Sequence, residues 1–265
     1  MMAARLRLDR LLADRQLVSS REKAHALVLS GRVRVNGQPV QKAGTLVRRE
    51  ASLEVLPAPF SHVSRGGAKL EAALAAFGVN PAGWTVLDVG ASTGGFTDAL
   101  LQHGAERVIA LDVGHGQLDW TLRRDPRVVV VERFNARFLS PERLETAVRG
   151  RVRSTGLDLA VIDVSFISLS HILPAVASLP SLTRCIPLVK PQFEAGRKQV
   201  GKGGVVRDPQ VHAAVVETVC GQAALAGWRT RGILPSPLAG TKGNREFFLH
   251  LVRENQATGR VGQDP

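Results

Sequence analysis

The sequence contains no tyrosine, only two cysteines and no long apolar run. Since aromatic residues make up 5% of the chain, a wide aromatic platform for stacking bases is not the expected mode of nucleic-acid contact. Cys185 and Cys220 form no CxxC pair, so no zinc site is predicted, and both are expected to be buried thiols in a reducing cytoplasm. The absence of any stretch of about 18 apolar residues argues against a membrane span. The charged N-terminus also lacks the apolar run of a signal peptide.

Positive charge, by contrast, is plentiful. The formal net charge is +12, from 35 Lys and Arg against 23 Asp and Glu. The first sixty residues hold eleven basic and five acidic side chains, an excess of +6 and so half of the total. The plainest partner for such a surface is a polyanion, either nucleic acid or an anionic membrane. An arginine-rich surface that serves only solubility is the simpler alternative.

The first sixty residues predict a small α+β module. Leucines in LRLDRLLADR fall on one face of a helix, and a second helix is predicted at residues 20–29, ended by Gly31. In RVRVNGQPV, Asn36 and Gly37 follow alternating Val and Arg, a strong signal for a tight β-hairpin. Its arginines would line one strand face, which predicts a basic edge able to contact phosphates.

Two prolines in LPAPF place a domain boundary at about residue 60. Beyond it, helices are predicted at residues 64–78, in FTDALLQHG and at residues 209–226. Buried strands are predicted in WTVLDVG, RVIALDV, VVVVE, LDLAVIDVS, TRCIPLVK, GWRTRGILPS and EFFLHLV. This alternation predicts an α/β fold with a doubly wound, mainly parallel sheet. Ligands of such sheets bind beyond the carboxyl ends of the strands.

Polar residues follow three of these strands. In LDVGASTGGF, Gly90, Gly94 and Gly95 permit close approach of the backbone to a ligand, and the helix that follows offers free N–H groups. Asp112 ends the next strand, 22 residues after Gly90, a distance that suits recognition of a ribose diol. Asp163 ends a further apolar strand. Together these positions predict a nucleoside-binding edge.

A serine hydrolase is the rival interpretation of the glycine loop. Residues 90–94 match the GxSxG nucleophile elbow, with Ser92 as nucleophile. The elbow normally follows several strands of its domain, whereas here it follows the first. The downstream histidines, none of them in an obvious late loop beside an acid, are His171, His212 and His250. The acids Asp88 and Asp112 around the loop favour nucleoside binding.

Several separated motifs together resemble the TlyA-type proteins of the FtsJ-like group of RNA ribose 2′-O-methyltransferases. These motifs are SRGGAKL, LDVGASTGGFTDALL, ALDVG, VIDVSFISL, LVKPQFEAG, GGVVRD and GNREFF. Upstream, SSREKAHALVLSGRVRVNGQPV resembles the small RNA-binding module first known from ribosomal protein S-four. The resemblance covers nearly the whole chain, although PAPFSH before SRGG is less typical of the family.

The resemblance implies an α/β, Rossmann-like, seven-stranded methyltransferase domain at residues 61–255. It would be preceded by a small α+β RNA-binding domain at 1–60 and followed by a disordered tail at 256–265. S-adenosylmethionine would be the cofactor, with no metal, and a ribose 2′-hydroxyl of cytidine in ribosomal RNA or ribosomal subunits the substrate, in the cytoplasm. Because some relatives carry a hemolysin label, a membrane-active protein is one alternative. A non-catalytic RNA-binding ribosome assembly factor is another.

The resemblance carries a catalytic tetrad to Lys69, Asp163, Lys190 and Glu246. A 2′-hydroxyl is a poor nucleophile until its proton is removed or polarised, and a lysine can act as base or as electrostatic stabiliser. Lys190 would be the central residue, with Lys69 and Glu246 positioning it and the ribose and Asp163 organising its amine. The residues predicted to bind the cofactor are Asp88, Gly90, Ser92, Gly94, Gly95, Phe96, Thr97, Asp112 and Asn135. Asn135 is equally well explained as a turn residue.

Basic residues in both parts of the chain are predicted to contact RNA. The glycine-rich segment VGKGGVV, flanked by basic side chains, predicts a basic loop over the RNA, with a plain solvated loop as the alternative. The predicted RNA contacts are Arg5, Arg7, Arg21, Lys23, Arg32, Arg34, Arg65, Arg197, Lys198 and Lys202.

Overall fold

The computed structural model describes residues 5–18, 20–29, 31–56, 62–152 and 156–253. The chain divides into two compact units, residues 1–59 and 60–265, called here the small and the large unit. The prolines of the expected boundary and the predicted tail at residues 256–265 lie outside the described residues.

The small unit contains two helices and five short strands among its described residues. Their bounds are β1 Arg5–Arg7, α1 Leu8–Asp14, α2 Arg21–Leu29, β2 Val33–Val35, β3 Gln38–Pro39, β4 Leu46–Arg48 and β5 Leu53–Val55. Strands β1 and β4 pair with each other, and β3, β2 and β5 form a second antiparallel sheet. The sequence pattern predicted neither β1, β4 nor β5, since three residues are too few for a period-two signal.

The predicted helices and hairpin of the small unit are present. Leu8, Leu11 and Leu12 of α1 are buried, in one apolar cluster with residues of α2. Between β2 and β3, Asn36 and Gly37 have φ angles of 50° and 78°. This left-handed pair matches the right-handed twist of the two strands, which is why the Asn-Gly sequence predicts the turn.

The large unit alternates strands and helices along the chain. Its strands are β6 Thr85–Val89, β7 Arg107–Leu111, β8 Val128–Val131, β9 Leu159–Ile162, β10 Arg184–Val189, β11 Arg229–Pro235 and β12 Phe247–Val252. Its α-helices are α3 Arg65–Phe77, α4 Gly95–Gln102, α5 Trp120–Arg123, α6 Pro141–Val148, α7 Leu173–Ala177, α8 Pro191–Glu194 and α9 Pro209–Leu225. Short 3-10 helices occupy Ala136–Phe138, Leu169–His171, Arg197–Gln199 and Thr241–Gly243.

One seven-stranded sheet organises the large unit. The strand order is β11-β12-β10-β9-β6-β7-β8. Only β12 runs antiparallel to its neighbours. The predicted doubly wound, mainly parallel sheet is therefore confirmed, and each of its strands corresponds to a predicted segment. Helices α5 to α8 were not predicted. Three of them, α5, α7 and α8, have only four or five residues, which give little helical periodicity.

The central strands are apolar on both faces because helices cover both sides of the sheet. Leu87 and Val89 of β6 belong to one apolar cluster, whereas Val86 belongs to the other. Of the two cysteines expected to be buried, Cys185 on β10 is buried, but Cys220 on α9 is only partly covered. The expectation for Cys220 was wrong, since it lies on the margin of the surface that α9 buries.

Arg253, directly after β12, ties the turn that follows α7 to the sheet. Its guanidinium donates to the carbonyl oxygens of Ala177 (2.5 Å), Leu182 (2.6 Å) and Leu179. It also lies 4.8 Å from the ring centroid of Trp228. Carbonyls at a helix end need donors when they are buried, and one side chain supplies three.

None of the described helices combines the length and the apolar character that crossing a membrane requires.

Replacing Arg253 by Gln should lower the free energy of unfolding by about 2–4 kcal/mol, because three carbonyls lose a charged donor. Urea unfolding followed by circular dichroism measures the change. Arg137→Gln, at an exposed arginine of a 3-10 helix, is the matched control. Equal destabilisation by both substitutions would contradict the capping role of Arg253.

Candidate active site

An open cavity lies at the carboxyl edge of the large unit's sheet. It has about 560 Å³ of empty space, including solvent at its mouth. Its lining is Ser64, Gly66, Lys69, Gly90, Ala91, Ser92, Thr93, Gly95, Phe96, Asp163, Lys190 and Glu246. The four residues of the predicted tetrad therefore meet in one cavity although they span nearly the whole length of the unit.

Lys69 and Glu246 form a buried ion pair on one wall. Lys69 Nζ donates to Glu246 Oε2 at 2.6 Å, and the two residues are only 8% and 3% exposed. Lys69 is presented by α3, which begins after its N-cap Ser64 and ends at Gly78 with a left-handed φ of 63°, as the sequence predicts. A buried lysine and carboxylate are tolerated because each is paired with the other.

Lys190 and Asp163 form a second ion pair in the lining of the same cavity. Lys190 Nζ lies 2.6 Å from Asp163 Oδ1 and donates to Ser165 Oγ at 3.0 Å. Lys190 directly follows β10 and Asp163 directly follows β9, and these strands are parallel neighbours. Their carboxyl ends therefore meet at one edge, and this brings together side chains 27 positions apart.

The glycine loop between β6 and α4 forms the floor of the cavity. Gly90 has a φ of 87°, and a Cβ there would lie 2.6 Å from the carbonyl oxygen of Asp163. A Cβ on Gly95 would lie 2.2 Å from Ser64 Oγ, and one on Gly94 would strike Leu118 and Leu122. The sequence suggested that these glycines admit a ligand. In the structure they also let the loop pack tightly against the protein itself.

A smaller cavity adjoins the first across the same loop. It is lined by Ala91, Ser92, Ala110, Asp112, Gly114, Gln117, Leu118, Val130 and Glu132. Asp112 Oδ2 accepts from the Ser92 N–H at 2.8 Å and Oδ1 from the Gly114 N–H at 2.6 Å, so this carboxylate fixes two loops. Glu132 was not singled out from the sequence. Its signal was its place at the end of the predicted strand VVVVE, beside Asp112 at the same sheet edge.

The sequence of the large unit matches one protein family along its length. Residues 62–253 match the family described as "FtsJ-like methyltransferase". This chain belongs to the FtsJ-like methyltransferase family. Residues 6–53 match the S4 domain, so the predicted pairing of an S4-like RNA-binding module with an FtsJ-like domain is confirmed.

Relatives of this FtsJ-like protein align over almost the whole chain. It is 50% identical over 252 residues to "16S/23S rRNA (cytidine-2'-O)-methyltransferase TlyA" of Mycobacterium tuberculosis, covering 94% of this chain and 91% of the relative. It is 39% identical to "Hemolysin A" of Brachyspira hyodysenteriae, covering 93% and 100%. A solved structure from Streptococcus thermophilus, described as a proposed hemolysin, shares 41% identity with a TM-score of 0.70 and covers 96% and 90%. Hemolysin and methyltransferase names therefore occur within one group of similar proteins.

Four residues predicted to bind the cofactor, namely Asp88, Gly94, Thr97 and Asn135, line neither cavity in the described part of this FtsJ-like domain. Asp88 and Thr97 are fully buried beneath the loop, where Thr97 Oγ1 donates to Asp88 Oδ2 at 2.6 Å. Asn135 caps the 3-10 helix Ala136–Phe138, accepting from the Arg137 N–H at 3.1 Å. The turn interpretation of Asn135 therefore describes the structure, and Asp88 and Thr97 hold the loop from below.

Asp88 is a buried acid with incomplete hydrogen bonding. Its Oδ1 has no hydrogen-bond partner among the described residues. Burial raises the pKa of Asp88 to about 7, and the nearby charges of Asp163 and Asp112 add to this rise while the Thr97 hydroxyl opposes it. A protonated Asp88 would turn one oxygen into a donor. The loop therefore rests on a carboxyl group that titrates near neutral pH.

The predicted RNA contacts of the S4 unit differ in whether other groups of the protein already bind them. Arg7 and Arg21 pair with the buried Asp9 at 2.9 and 3.0 Å and, Arg7 foremost, lower the pKa of Asp9 to about 2. Arg32 donates to the Leu56 carbonyl at 2.9 Å. The remaining contacts predicted in this unit, Arg5, Lys23 and Arg34, are exposed, and Arg34 Nη1 lies 3.9 Å from Glu54 Oε2.

The predicted RNA contacts of the FtsJ-like unit are all exposed: Arg65, Arg197, Lys198 and Lys202. Arg65 donates to the Ala239 carbonyl at 2.7 Å. The glycine-rich loop closes on itself through a bridge between Gly201 and Val205. Buried Asn244 also anchors it, accepting from the Val206 N–H and donating to the Gly204 carbonyl. The loop thus holds its basic side chains at the surface on a fixed base.

The hydrolase interpretation lacks its general base. Ser92 has the left-handed backbone expected at a nucleophile elbow, with a φ of 48°. Its hydroxyl, however, contacts Gln117 Oε1 at 3.4 Å, and no histidine of the described chain hydrogen-bonds to it.

No group of three or more His, Cys, Asp or Glu side chains among the described residues is arranged to hold a metal ion.

Removing one charge of the buried Lys69–Glu246 pair should destabilise the fold more than removing both charges. Glu246→Gln or Lys69→Met alone should lower the free energy of unfolding by about 3–5 kcal/mol, since each leaves an unpaired buried charge. The double variant should be less destabilised than the sum of the two. Urea unfolding of all four proteins provides the cycle, and additive effects would mean that the two charges are not coupled.

Asp88 should make stability pH-dependent. Its pKa is about 7 in the folded chain but near 4 when unfolded, so its contribution to folding is full below pH 4. As the pH rises from about 4 to 7, that contribution should fall by up to about 1.4 kcal/mol per pH unit, and Asp88→Asn should remove this slope. Urea unfolding from pH 4.5 to 7.5 tests this, with the exposed Asp14→Asn as control. Parallel curves for wild type and Asp88→Asn would refute it.

Proposed function

We propose that this FtsJ-like methyltransferase transfers a methyl group from S-adenosylmethionine to the 2′-hydroxyl of cytidine in ribosomal RNA, in the cytoplasm. The observation that carries the proposal is the convergence of two lysine–carboxylate pairs at the glycine loop. The 50% identity to a relative with this activity supports the choice of base and substrate.

The two adjoining cavities fit the methyl donor. The smaller combines apolar walls at Ala91, Leu118 and Val130 with polar groups at its rim, as a purine nucleoside requires. The larger reaches from the shared loop to the tetrad. S-adenosylmethionine, when bound, supplies an electrophilic methyl group on a sulfonium. Asp112 and Glu132 would hold the nucleoside end, and the loop from Gly90 to Gly95 would hold the remainder.

Lys190 would act on the ribose. Its amine lies at the carboxyl edge of the sheet, 2.6 Å from Asp163 Oδ1 and 3.0 Å from Ser165 Oγ. The carboxylate holds the amine in place at the cavity, so we assign Lys190 to stabilising the negative charge that develops on the 2′-oxygen. As the oxygen attacks, the hydroxyl proton would pass to the Asp163 carboxylate through the Lys190 ammonium, which gives one of its own protons to Asp163 and keeps its charge.

Lys69 and Glu246 would position the target. Because their ion pair is nearly inaccessible to solvent, it would serve as a rigid wall. A Cβ on Gly240 would overlap Glu246, so the loop before β12 closes against the carboxylate. A rigid wall in the cavity that Lys190 also lines restricts where the ribose can lie, and correct placement of reactants supplies a large part of the rate of a methyl transfer.

The S4 unit would supply affinity for RNA. Its exposed arginines and lysine can neutralise phosphates without reading sequence. Selection of a single cytidine would then require the shape of the folded RNA and the geometry of the cavity.

The activity is tested by incubating purified protein with labelled S-adenosylmethionine and separated ribosomal subunits, then mapping 2′-O-methyl groups. We expect label on the ribose of a cytidine in at least one subunit. Label on a base, or no label on either subunit, would refute the proposal.

Lys190→Met should lower the rate of transfer by about 100- to 1000-fold, the loss typical when a preorganised stabilising group is removed. Donor affinity, measured by calorimetry, should stay within a few-fold, because Lys190 acts on the acceptor. The same substitution at the exposed Lys242, which is not among the predicted RNA contacts, is the control for loss of charge. A Lys190→Met variant with normal turnover would exclude the role assigned to this lysine.

A further inference from the structure

A second basic cluster lies at the opposite, amino-terminal end of the sheet. It consists of Arg184, Arg229, Arg231 and His250 and is called here the amino-edge patch. The three arginines are exposed and His250 is half-buried. Arg184 begins β10, six residues before Lys190, so the patch lies about 20 Å from the tetrad at the rise of an extended strand.

Strand register explains why these residues are neighbours. Arg184 on β10 and Arg229 on β11 both pair with Val252 of β12, so the two arginines flank the same residue and share one face of the sheet. Between Thr230 and Gly232 the register shifts, and Arg231 is the extra residue of this bulge, next to the pair Gly232–His250. Bulges re-aim side chains at sheet edges.

Aromatic rings support the patch from within the same unit. The Arg184 guanidinium lies 5.0 Å from the ring centroid of Trp84, and the His250 ring stacks on Phe77 at 5.2 Å. A Cβ on Gly232 would press on Phe77 at 3.1 Å, so this glycine leaves room for the ring. Stacked guanidinium and imidazole groups are held in place at little entropic cost, which favours a recognition surface over mobile surface charge.

The positive charges of the patch are not neutralised. No ion pair joins its arginines to an acid in the part of the chain that the structure describes. Asp158, just before the adjacent strand β9, instead accepts from the Thr85 N–H at 2.9 Å. The pKa of His250 is lowered by burial and then by Arg184 and Arg231, and its Nε2 has no hydrogen-bond partner among the described residues.

We infer that the amino-edge patch binds the phosphate backbone of the RNA substrate as a second contact, remote from the tetrad. Clustered arginines that pair with no acid among the described residues match a run of phosphates, and the neighbouring rings hold Arg184 and His250 in place. The inference rests on the proposed RNA substrate. It predicts that large folded RNA gains affinity from a face that a short fragment confined to the cavity cannot reach.

The test compares two triple variants of the full chain on ribosomal subunits. Arg184→Gln, Arg229→Gln and Arg231→Gln remove the charges of the patch. Arg124→Gln, Arg137→Gln and Arg143→Gln remove three exposed charges elsewhere, two of which also lie over aromatic rings. Filter binding across salt concentrations gives affinity and its salt dependence, and steady-state methylation gives KM and kcat.

The patch variant should bind subunits about tenfold more weakly, with a log–log salt slope shallower by about 2, as expected when about three phosphate contacts are lost. KM should rise and kcat should stay unchanged. A triple Arg→Lys variant at the same positions should recover most of the affinity. Equal losses in the patch variant and the control variant, or no loss in the patch variant, would overturn the inference.

Donor binding and wild-type methylation separate this outcome from failure of the proposed function. If the wild type methylates subunits and the patch variant binds them normally, only the inference about the patch is rejected. As an independent readout, the titration of His250 is followed by its imidazole resonances with and without subunits. An RNA phosphate should offset the charges of Arg184 and Arg231 and so raise the pKa of His250. An unchanged titration would argue against contact at the patch.

Discussion

The site depends on the parallel pairing of β9 with β10. This pairing aligns the carboxyl ends of two strands, so Asp163 and Lys190 leave the sheet side by side and neutralise each other at 2.6 Å. Neither charge would be stable alone at the end of an apolar strand. The same alignment sets the glycine loop against Asp163, because Gly90 can approach its carbonyl only without a side chain.

The second ion pair depends on a different constraint. Lys69 lies on α3, before the first strand of the sheet, and Glu246 precedes the last strand. Their hydrogen bond therefore links the two ends of the large unit beside the loop. The Lys69–Glu246 pair is nearly closed to solvent, which suits it for holding position. The Lys190–Asp163 pair is partly open, which suits it for contact with a substrate. Asp88 supports the loop between them from below.

The two ends of the sheet carry charge in different ways. At the carboxyl edge, each lysine of the tetrad is matched by a carboxylate, so the cavity is polar without a large net charge. At the amino edge, Arg184, Arg229 and Arg231 have no such partner in the described chain, and aromatic rings hold two of the basic groups. Paired charges suit a reaction centre, whereas unpaired ones suit a polyanion.

Strand and helix periodicity, glycine punctuation and the Asn-Gly turn were local signals, and they determined the seven strands, the longer helices and the order of the motifs. The short strands and helices were not predicted, because a few residues show no periodicity. Only the tertiary structure decided that Asp88 and Thr97 lie beneath the loop, that Asn135 caps a turn and that Glu132 borders a cavity. It alone also placed Arg231 in a bulge beside His250. The reason is physical: a strand's pattern fixes which faces are apolar, but strand register and packing decide which polar ends meet.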